Sequence, residues 1–192
     1  MYKCTLLLLC FFMALLIGCQ ASYSPPPRTS ITPPPPTAVR PPPPTSVKVE
    51  DSKFEDAATF IGIQEHPDRN TEYLLRSWVD KKSGQVTHQV YVANFYHGDW
   101  IFWSRANSED AQPLQFVPIK QEVVTCDEFS RCSHSEHFAA LIPDTVLRTH
   151  QDGFSVKFYG KTGKEMILRL TPQQIRQQLK VIEDFQAQRR VN

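Results

Sequence analysis

Short stretches in which hydrophobic and polar residues alternate make up most of the chain after residue 48. Clear examples are Val86 to Phe95, and the pair Phe154 to Tyr159 and Glu165 to Leu170 on either side of Gly160-Lys161-Thr162-Gly163. Alternation with a period of two turns one face of a strand to the core, and a glycine-containing turn between two such stretches predicts a β-hairpin. We therefore expect a mainly β domain, an antiparallel sandwich or sheet.

The same pattern predicts further strands along the chain. They are expected at Thr59–Gln64, Glu72–Val79, Trp100–Trp103, Phe116–Thr125 and His137–Ile142. Trp100–Trp103 is apolar on both faces, so we expect it to be covered on both sides. Pro118 places its own strand at an edge or a bulge, because proline has no N–H to donate.

One C-terminal amphipathic helix is predicted over residues 172–189. Thr171 is its expected N-cap, Pro172 suits the first helical position, and Gln174 completes a capping box. Apolar residues then recur at helical spacing, at Ile175, Leu179, Ile182 and Phe185. This stripe is expected to pack on one face of the sheet. Nearer the N-terminus, Ser52 to Ala58 permits either a short helix or a loop.

The first 18 residues have the pattern of a secretory signal peptide. Lys3 supplies the positive charge, and Thr5 to Ile17 is apolar for about a dozen residues, which is too short for a typical membrane span. The stretch ends in Leu16-Ile17-Gly18-Cys19. This motif resembles the lipobox of bacterial lipoproteins, in which a small residue precedes an invariant cysteine.

The resemblance implies a lipid anchor on Cys19. Diacylglycerol is expected on its thiol, with cleavage after Gly18 and a further fatty acyl chain, such as palmitate, on the new N-terminus. Each buried methylene adds about 0.8 kcal/mol, so two or three chains anchor firmly. In this class Asp after the cysteine tends to retain the protein in the inner membrane. Gln20 therefore implies the outer membrane, on its periplasmic or surface side. The alternative is an ordinary cleaved signal, or an uncleaved anchor, with Cys19 incidental.

Residues 19–48 are expected to be the lipidated N-terminus followed by a disordered linker, which joins a single globular domain over residues 49–192. Most of the 16 prolines lie in three blocks, Pro25–Pro27, Pro33–Pro36 and Pro41–Pro44. Proline fixes φ and lacks a donor, so polyproline II is the expected conformation. We interpret the segment as a passive, semi-rigid spacer. The alternative is recognition by a proline-binding partner.

Five cysteines are present. Cys4 and Cys10 leave with the signal peptide, and the lipobox assigns Cys19 to lipidation. Cys126 and Cys132 then remain as a pair in an oxidising compartment, where we expect a disulfide.

The histidines after Cys132 raise the alternative of a metal site. His134, Glu136 and His137 are residue types that zinc accepts. If they lie on a strand, however, His134 and Glu136 share one face and His137 points to the other. We therefore expect neither a metal nor another cofactor.

Aromatic residues cluster between residues 91 and 103. Tyr96, Trp100 and Trp103 are the candidates for stacking on sugar rings, although aromatic residues of a small β domain are more often part of its core. With 21 basic and 20 acidic residues, the chain lacks the basic excess of a nucleic-acid binder. The membrane and an envelope protein or glycan are therefore the expected partners.

Recognisable catalytic motifs are absent from the sequence, including a nucleophile elbow, H-E-x-x-H and a glycine-rich phosphate loop. We therefore interpret the protein as a non-catalytic envelope lipoprotein that presents its β-rich domain on the linker to bind a protein or an envelope polymer. Two alternatives stay open. One is an envelope hydrolase with a site among His134, His137 and His150, and the other is a metal-binding lipoprotein.

Overall fold

The computed structural model describes residues 46–129 and 131–191. The expected signal peptide, Cys19 and the proline blocks lie outside the described residues. In the part of the chain that is described, no helix combines the length and the apolar character needed to cross a membrane.

The described residues form ten strands and two helices, in the order β1 (Lys48–Glu50), β2 (Ala57–Glu65), β3 (Thr71–Asp80), β4 (Val86–His97), β5 (Trp103–Ser108), β6 (Pro113–Leu114), β7 (Phe116–Cys126), β8 (Cys132–Ile142), α1 (Asp144–Thr149), β9 (Phe154–Gly160), β10 (Glu165–Leu170) and α2 (Pro172–Val191). A six-stranded sheet has the order β1-β2-β3-β4-β8-β7, and a four-stranded sheet has the order β10-β9-β5-β6. Every strand pair is antiparallel.

The two sheets pack face to face around an aromatic centre. Phe138 of β8 in the larger sheet contacts Trp103 of β5 and Phe158 of β9 in the smaller one, with ring centroids 5.4 and 5.1 Å apart. All three side chains are buried and belong to one hydrophobic cluster that draws on both sheets. The predicted fold class, a mainly antiparallel β domain with a C-terminal helix, is confirmed, and the sandwich is its form.

Helix α2 packs beside the smaller sheet, on the same face of the larger sheet. The predicted capping box is present, since Gln174 N–H donates to Thr171 Oγ1 and Thr171 N–H donates to Gln174 Oε1. The predicted stripe faces β2 and β3, with Ile182 buried and Phe185 packed edge-on against Phe60. The helix continues two residues beyond the predicted end at 189.

Buried amides fix where this helix sits on the sheet. Gln178 Nε2 donates to Phe60 O and to Ser77 Oγ, both at 3.0 Å, and Gln174 Nε2 donates to Ile63 O at 2.9 Å. A buried amide without partners is costly, so these bonds favour one register of the helix over others. Sequence periodicity does not predict them, because it treats a polar residue beside the apolar stripe as solvent-facing.

Three local features differ from the sequence predictions. Trp100–Trp103 is not a strand, because β5 begins only at Trp103 and the residues before it form an irregular loop. The helical alternative for Ser52–Ala58 is wrong, since turns lead there directly into β2. Helix α1 was not predicted. It has only six residues, fewer than two turns, which is too short for a periodic apolar pattern to show.

A buried histidine joins α1 to the larger sheet. His88 of β4 is fully buried, and its Nδ1 lies 2.7 Å from Ser77 Oγ while its Nε2 lies 2.9 Å from Asp144 Oδ1. Burial lowers the pKa of His88 below its ordinary value, although Asp144 acts in the opposite direction. The neutral ring can therefore accept from the serine hydroxyl and donate to the carboxylate, which satisfies both nitrogens.

Candidate binding cleft

A cleft of about 630 Å³ opens at one end of the sandwich, and we call it the Trp100 cleft. Its walls come from the β2–β3 loop, the end of β4, the loop 98–102, the start of β5 and the β9–β10 turn. Tyr96, Trp100 and Trp103, the three aromatic residues singled out from the sequence, all line it. This volume is typical of a small-molecule site or of a subsite for a polymer.

The three aromatic residues differ in burial and therefore in what they offer a ligand. Trp103 is a core residue that shows only 5% of its surface. Tyr96 and Trp100 are partly buried. The Trp100 ring stacks on Phe102 with centroids 5.6 Å apart and contacts the His134 ring at 4.1 Å. Trp100 is thus held by neighbouring rings while part of its surface stays open to the cleft.

A chain of hydrogen bonds orients an amide in the cleft wall. Trp103 Nε1 donates to Asn94 Oδ1 at 3.2 Å, and Asn94 Nδ2 donates to Thr71 Oγ1 at 3.0 Å. The threonine hydroxyl donates in turn to Asp68 Oδ2 at 3.2 Å. Because each group has a fixed partner, the Asn94 amide is held in one orientation before any ligand arrives.

The charges at the cleft are mainly acidic. Asp68, Asp99 and Glu165 line it together with Lys164, and Glu165 also pairs with Lys157 at 2.7 Å. An anionic ligand would meet repulsion here, whereas sugar hydroxyls can donate hydrogen bonds to carboxylates. The chemistry of the lining therefore favours a hydroxyl-rich ligand without negative charge.

Glu136 holds the loop that carries Trp100. Its side chain is buried and its Oε1 accepts from the Tyr96 hydroxyl and, at 2.9 Å, from Phe102 N–H. The second oxygen accepts from Trp103 N–H at 3.2 Å and from Gln121 Nε2 at 2.7 Å. Four donors offset the cost of burying a carboxylate and fix the loop against β8.

Two further features hold this loop in one conformation. Burial, assisted by the hydrogen bond to Glu136, raises the pKa of Tyr96 above its ordinary value, so the hydroxyl stays protonated and keeps donating. Phe102 has φ 54°, a left-handed conformation that non-glycine residues rarely adopt. The hydrogen bond from its N–H to Glu136 stabilises that conformation, which explains why the predicted strand does not form there.

The metal candidates do not come together. His134 and Glu136 lie on the inner face of β8 and His137 on the outer face, as the alternation predicts. His134 Nδ1 is buried and has no hydrogen-bond partner among the described residues. His137 instead contacts Tyr91, whose hydroxyl lies 2.5 Å from its Nδ1. Across residues 46–129 and 131–191, no group of three His, Cys, Asp or Glu side chains is placed to hold a metal.

The histidines of the alternative hydrolase are also separated. His150 ends α1, where its Nδ1–H donates to Val146 O and its ring packs on Phe154. His134 contacts Trp100, and His137 lies on the opposite face of its strand. A shared acid–base site requires groups within hydrogen-bond reach of one substrate, and this arrangement does not bring the three together.

The predicted disulfide between Cys126 and Cys132 is present and closes the hairpin of β7 and β8. Inside this turn, Arg131 Nε donates to Asp127 Oδ2 at 2.8 Å. Phe129, also in the turn, has 71% of its surface exposed.

Comparison with protein-family models, with curated protein sequences and with solved structures found no match. The function is therefore inferred from the residues of the cleft itself.

Sequence reasoning named Glu136 as a metal candidate and missed its role as the acceptor that positions the loop. The alternation along β8 could have revealed this role, because it places Glu136 on the same face as the buried residues Phe138 and Ala140. A carboxylate on an inward-facing position needs several donors. Asn94 was missed because its partners Thr71 and Trp103 come from different strands.

Proposed function

We propose that the mature chain is a lipid-anchored, non-catalytic protein of the bacterial outer membrane whose domain binds a neutral glycan polymer in the Trp100 cleft. The lipobox at Leu16-Ile17-Gly18-Cys19 supports the anchor, and the proline blocks that follow support a spacer between membrane and domain. The observation that carries the binding role is a Trp100 ring held in place in the same cleft as an oriented Asn94 amide.

Two of the three cleft carboxylates, those of Asp68 and Glu165, already have partners, which supports binding over catalysis. Asp68 already accepts from Asn70 N–H at 2.7 Å and from the Thr71 hydroxyl, while Glu165 is paired with Lys157. A general acid or base must be able to exchange a proton with the substrate, usually after its pKa has been shifted towards neutral pH. Carboxylates that serve as acceptors for fixed donors suit the positioning of a ligand better.

Substituting Trp100→Ala is expected to weaken glycan binding about thirtyfold, because losing an aromatic contact surface of this size costs about 2 kcal/mol. Binding of the full chain would be measured by co-sedimentation with chitin, a neutral N-acetylglucosamine polymer, and by fluorescence titration with a neutral N-acetylglucosamine tetramer. Trp100→Phe should recover much of the affinity, since a phenyl ring can still stack on a sugar.

Phe54→Ala is the matched control, because Phe54 is an aromatic residue with 85% of its surface exposed that does not line the cleft. It should bind as the unsubstituted chain does. The proposal fails if the unsubstituted chain binds neither probe, or if Trp100→Ala binds both probes unchanged.

A protein partner is the second candidate, and the exposed apolar side chains near the disulfide favour it. Phe129, Val123 and Val124 show 71%, 51% and 54% of their surfaces. Clusters of this kind mark protein contacts in many domains. Crosslinking in intact cells distinguishes the two candidates, since a protein contact at this turn would be lost with Phe129→Ser and retained with Trp100→Ala.

A further inference from the structure

The larger sheet has an outer face that no helix or strand of the described residues covers. Helix α2 and the smaller sheet both pack on the inner face, through contacts such as Gln178 to Ser77 and Phe138 to Phe158. Around Arg76, the outer face presents one aliphatic and four aromatic side chains from the adjacent strands β3, β4 and β8, namely Leu74, Trp78, Tyr91, Phe95 and His137. Solvent-facing sides of antiparallel sheets are usually polar, so an aromatic outer face needs an explanation.

Arg76 lies at the centre of this face between two aromatic rings. Its guanidinium carbon is 5.1 Å from the Trp78 ring centroid and 4.5 Å from the Tyr91 ring centroid. Its Nε donates to Gln89 Oε1 at 2.6 Å. Three contacts thus fix the plane of the guanidinium, so its two terminal nitrogens are preorganised to bind a ligand.

The guanidinium has no carboxylate partner among the described residues. Two lysines on the same outer face, in contrast, are each paired with a glutamate. Lys48 pairs with Glu50 at 2.7 Å, and Lys120 pairs with Glu122 at 2.6 Å. Burial lowers the pKa of Arg76, as expected for a cation partly withdrawn from water without an anion beside it. An incoming anion would find here a guanidinium that is not already paired with a carboxylate.

The rings around Arg76 carry no charge, and the charged side chains near them have partners of their own, since Lys120 pairs with Glu122 and Glu72 accepts from Gln64 Nε2 at 2.7 Å. Tyr91 hydroxyl lies 2.5 Å from His137 Nδ1, and His137 Nε2 lies 2.9 Å from Ser135 Oγ. Burial and the nearby Lys120 lower the pKa of His137, while Glu122 and Glu72 act in the opposite direction, so the ring is neutral at pH 7. The site therefore suits a ligand that offers one anionic group flanked by apolar ring faces.

We infer that the outer face is a second binding site, for an anionic glycan, in which Arg76 binds a carboxylate or phosphate group while Trp78 and Tyr91 contact the adjoining sugar rings. A guanidinium donates two parallel hydrogen bonds to either anion, and aromatic faces stack on sugar rings. The Trp100 cleft, with its acidic lining, takes no part in this site. An extended polymer fits because the groups spread across three strands of an open sheet.

The test titrates the full chain with four soluble polymers. Hyaluronate oligosaccharides carry a carboxylate on alternate sugars, a phosphomannan carries phosphate on its sugar rings, dextran is neutral, and poly-L-glutamate is anionic without sugar. We expect hyaluronate or the phosphomannan to bind at least tenfold more tightly than dextran and poly-L-glutamate. The anionic polymer that binds more tightly identifies carboxylate or phosphate as the recognised group.

Arg76→Gln should weaken this binding by about tenfold to a hundredfold, the range expected for loss of a charge-assisted hydrogen-bond pair. Arg76→Lys should bind with an affinity between those of the unsubstituted chain and Arg76→Gln, because a lysine keeps the charge and loses the planar fork. Arg105→Gln is the matched control, since Arg105 lies over the Tyr159 ring of the other sheet at 4.9 Å.

Equal binding by the unsubstituted chain and Arg76→Gln would overturn the inference, as would a failure of both anionic glycans to bind. Poly-L-glutamate binding as tightly as the glycans would overturn the assignment to a glycan and indicate an acidic peptide. Thermal melts confirm that each variant is folded. If Arg76→Gln does not fold, Arg76→Lys and Trp78→Ala decide, and unchanged binding by both contradicts the inference.

Discussion

Replacing Glu136 with alanine is expected to lower the free energy of unfolding by about 3 to 5 kcal/mol. The substitution leaves the Tyr96 hydroxyl, two backbone N–H groups and the Gln121 amide without the oxygens they now donate to. An unsatisfied buried donor costs about 1 to 3 kcal/mol, and water entering the space recovers part of the total. Urea denaturation followed by fluorescence measures the change.

Two control variants distinguish the effect of losing the hydrogen bonds to Glu136 from the effect of losing a negative charge. Glu136→Gln keeps the shape, but its NH₂ group faces donors, so a loss of about 1 to 3 kcal/mol is expected. Glu122→Ala removes a partly exposed carboxylate on the neighbouring strand that pairs with Lys120, and should change stability by less than about 1 kcal/mol. A loss below 1 kcal/mol for Glu136→Ala would show that this carboxylate does not hold the loop.

Phe138→Ala is expected to destabilise the domain by about 3 to 5 kcal/mol, because it opens a cavity where the two sheets meet. Its ring contacts Trp103, Phe158 and Phe116 from three different strands. The neighbouring rings cannot collapse into the space without moving one sheet towards the other. Equilibrium unfolding in urea gives the difference in the free energy of unfolding, when both proteins are fitted with the same dependence of that free energy on urea concentration.

Phe129→Ala is the matched control for this substitution. The same side chain is removed from a position with 71% exposure, so the expected change is within about 0.5 kcal/mol. Equal losses at the two positions would contradict the sandwich packing, since they would mean that Phe138 is no more buried than a turn residue.

Local patterns predicted much of the fold. The hairpin of β9 and β10, the capping box at Thr171 and the apolar stripe on α2 depend on residues close together in sequence, and all are confirmed. The disulfide between Cys126 and Cys132 is confirmed as well. Features of this kind are encoded within a few residues, so no knowledge of the tertiary structure is needed to recognise them.

Features that depend on distant partners were not predictable in the same way. The aromatic run before Trp103 was taken for a strand, because its alternation contains nothing that reveals the hydrogen bonds from Phe102 and Trp103 to Glu136. Strand β1 has three residues and exists through its pairing with β2. In both cases tertiary contacts override local preference.

The candidate site shows the same division. Tyr96, Trp100 and Trp103 were identified by their residue type and do line one cleft. The polar groups that give the cleft its character come from the β2–β3 loop and the β9–β10 turn, and only the folded sheets bring them near the aromatics. The outer face centred on Arg76 was missed because its aromatic neighbours are not consecutive in sequence.

The proposed role at the membrane depends on a lipid anchor at Cys19, and the mass of the mature chain tests this anchor most directly. The full-length gene product would be expressed in a bacterium that processes lipoproteins, then separated into membrane and soluble fractions and analysed by intact-mass spectrometry. We predict a membrane-bound protein that begins at Cys19 and is heavier than its sequence by a diacylglyceryl group and an acyl chain. Cys19→Ser should lose both the added mass and the membrane association. An unmodified N-terminus in the unsubstituted protein, or a Cys19→Ser protein unchanged in mass and fractionation, would contradict lipid anchoring at Cys19.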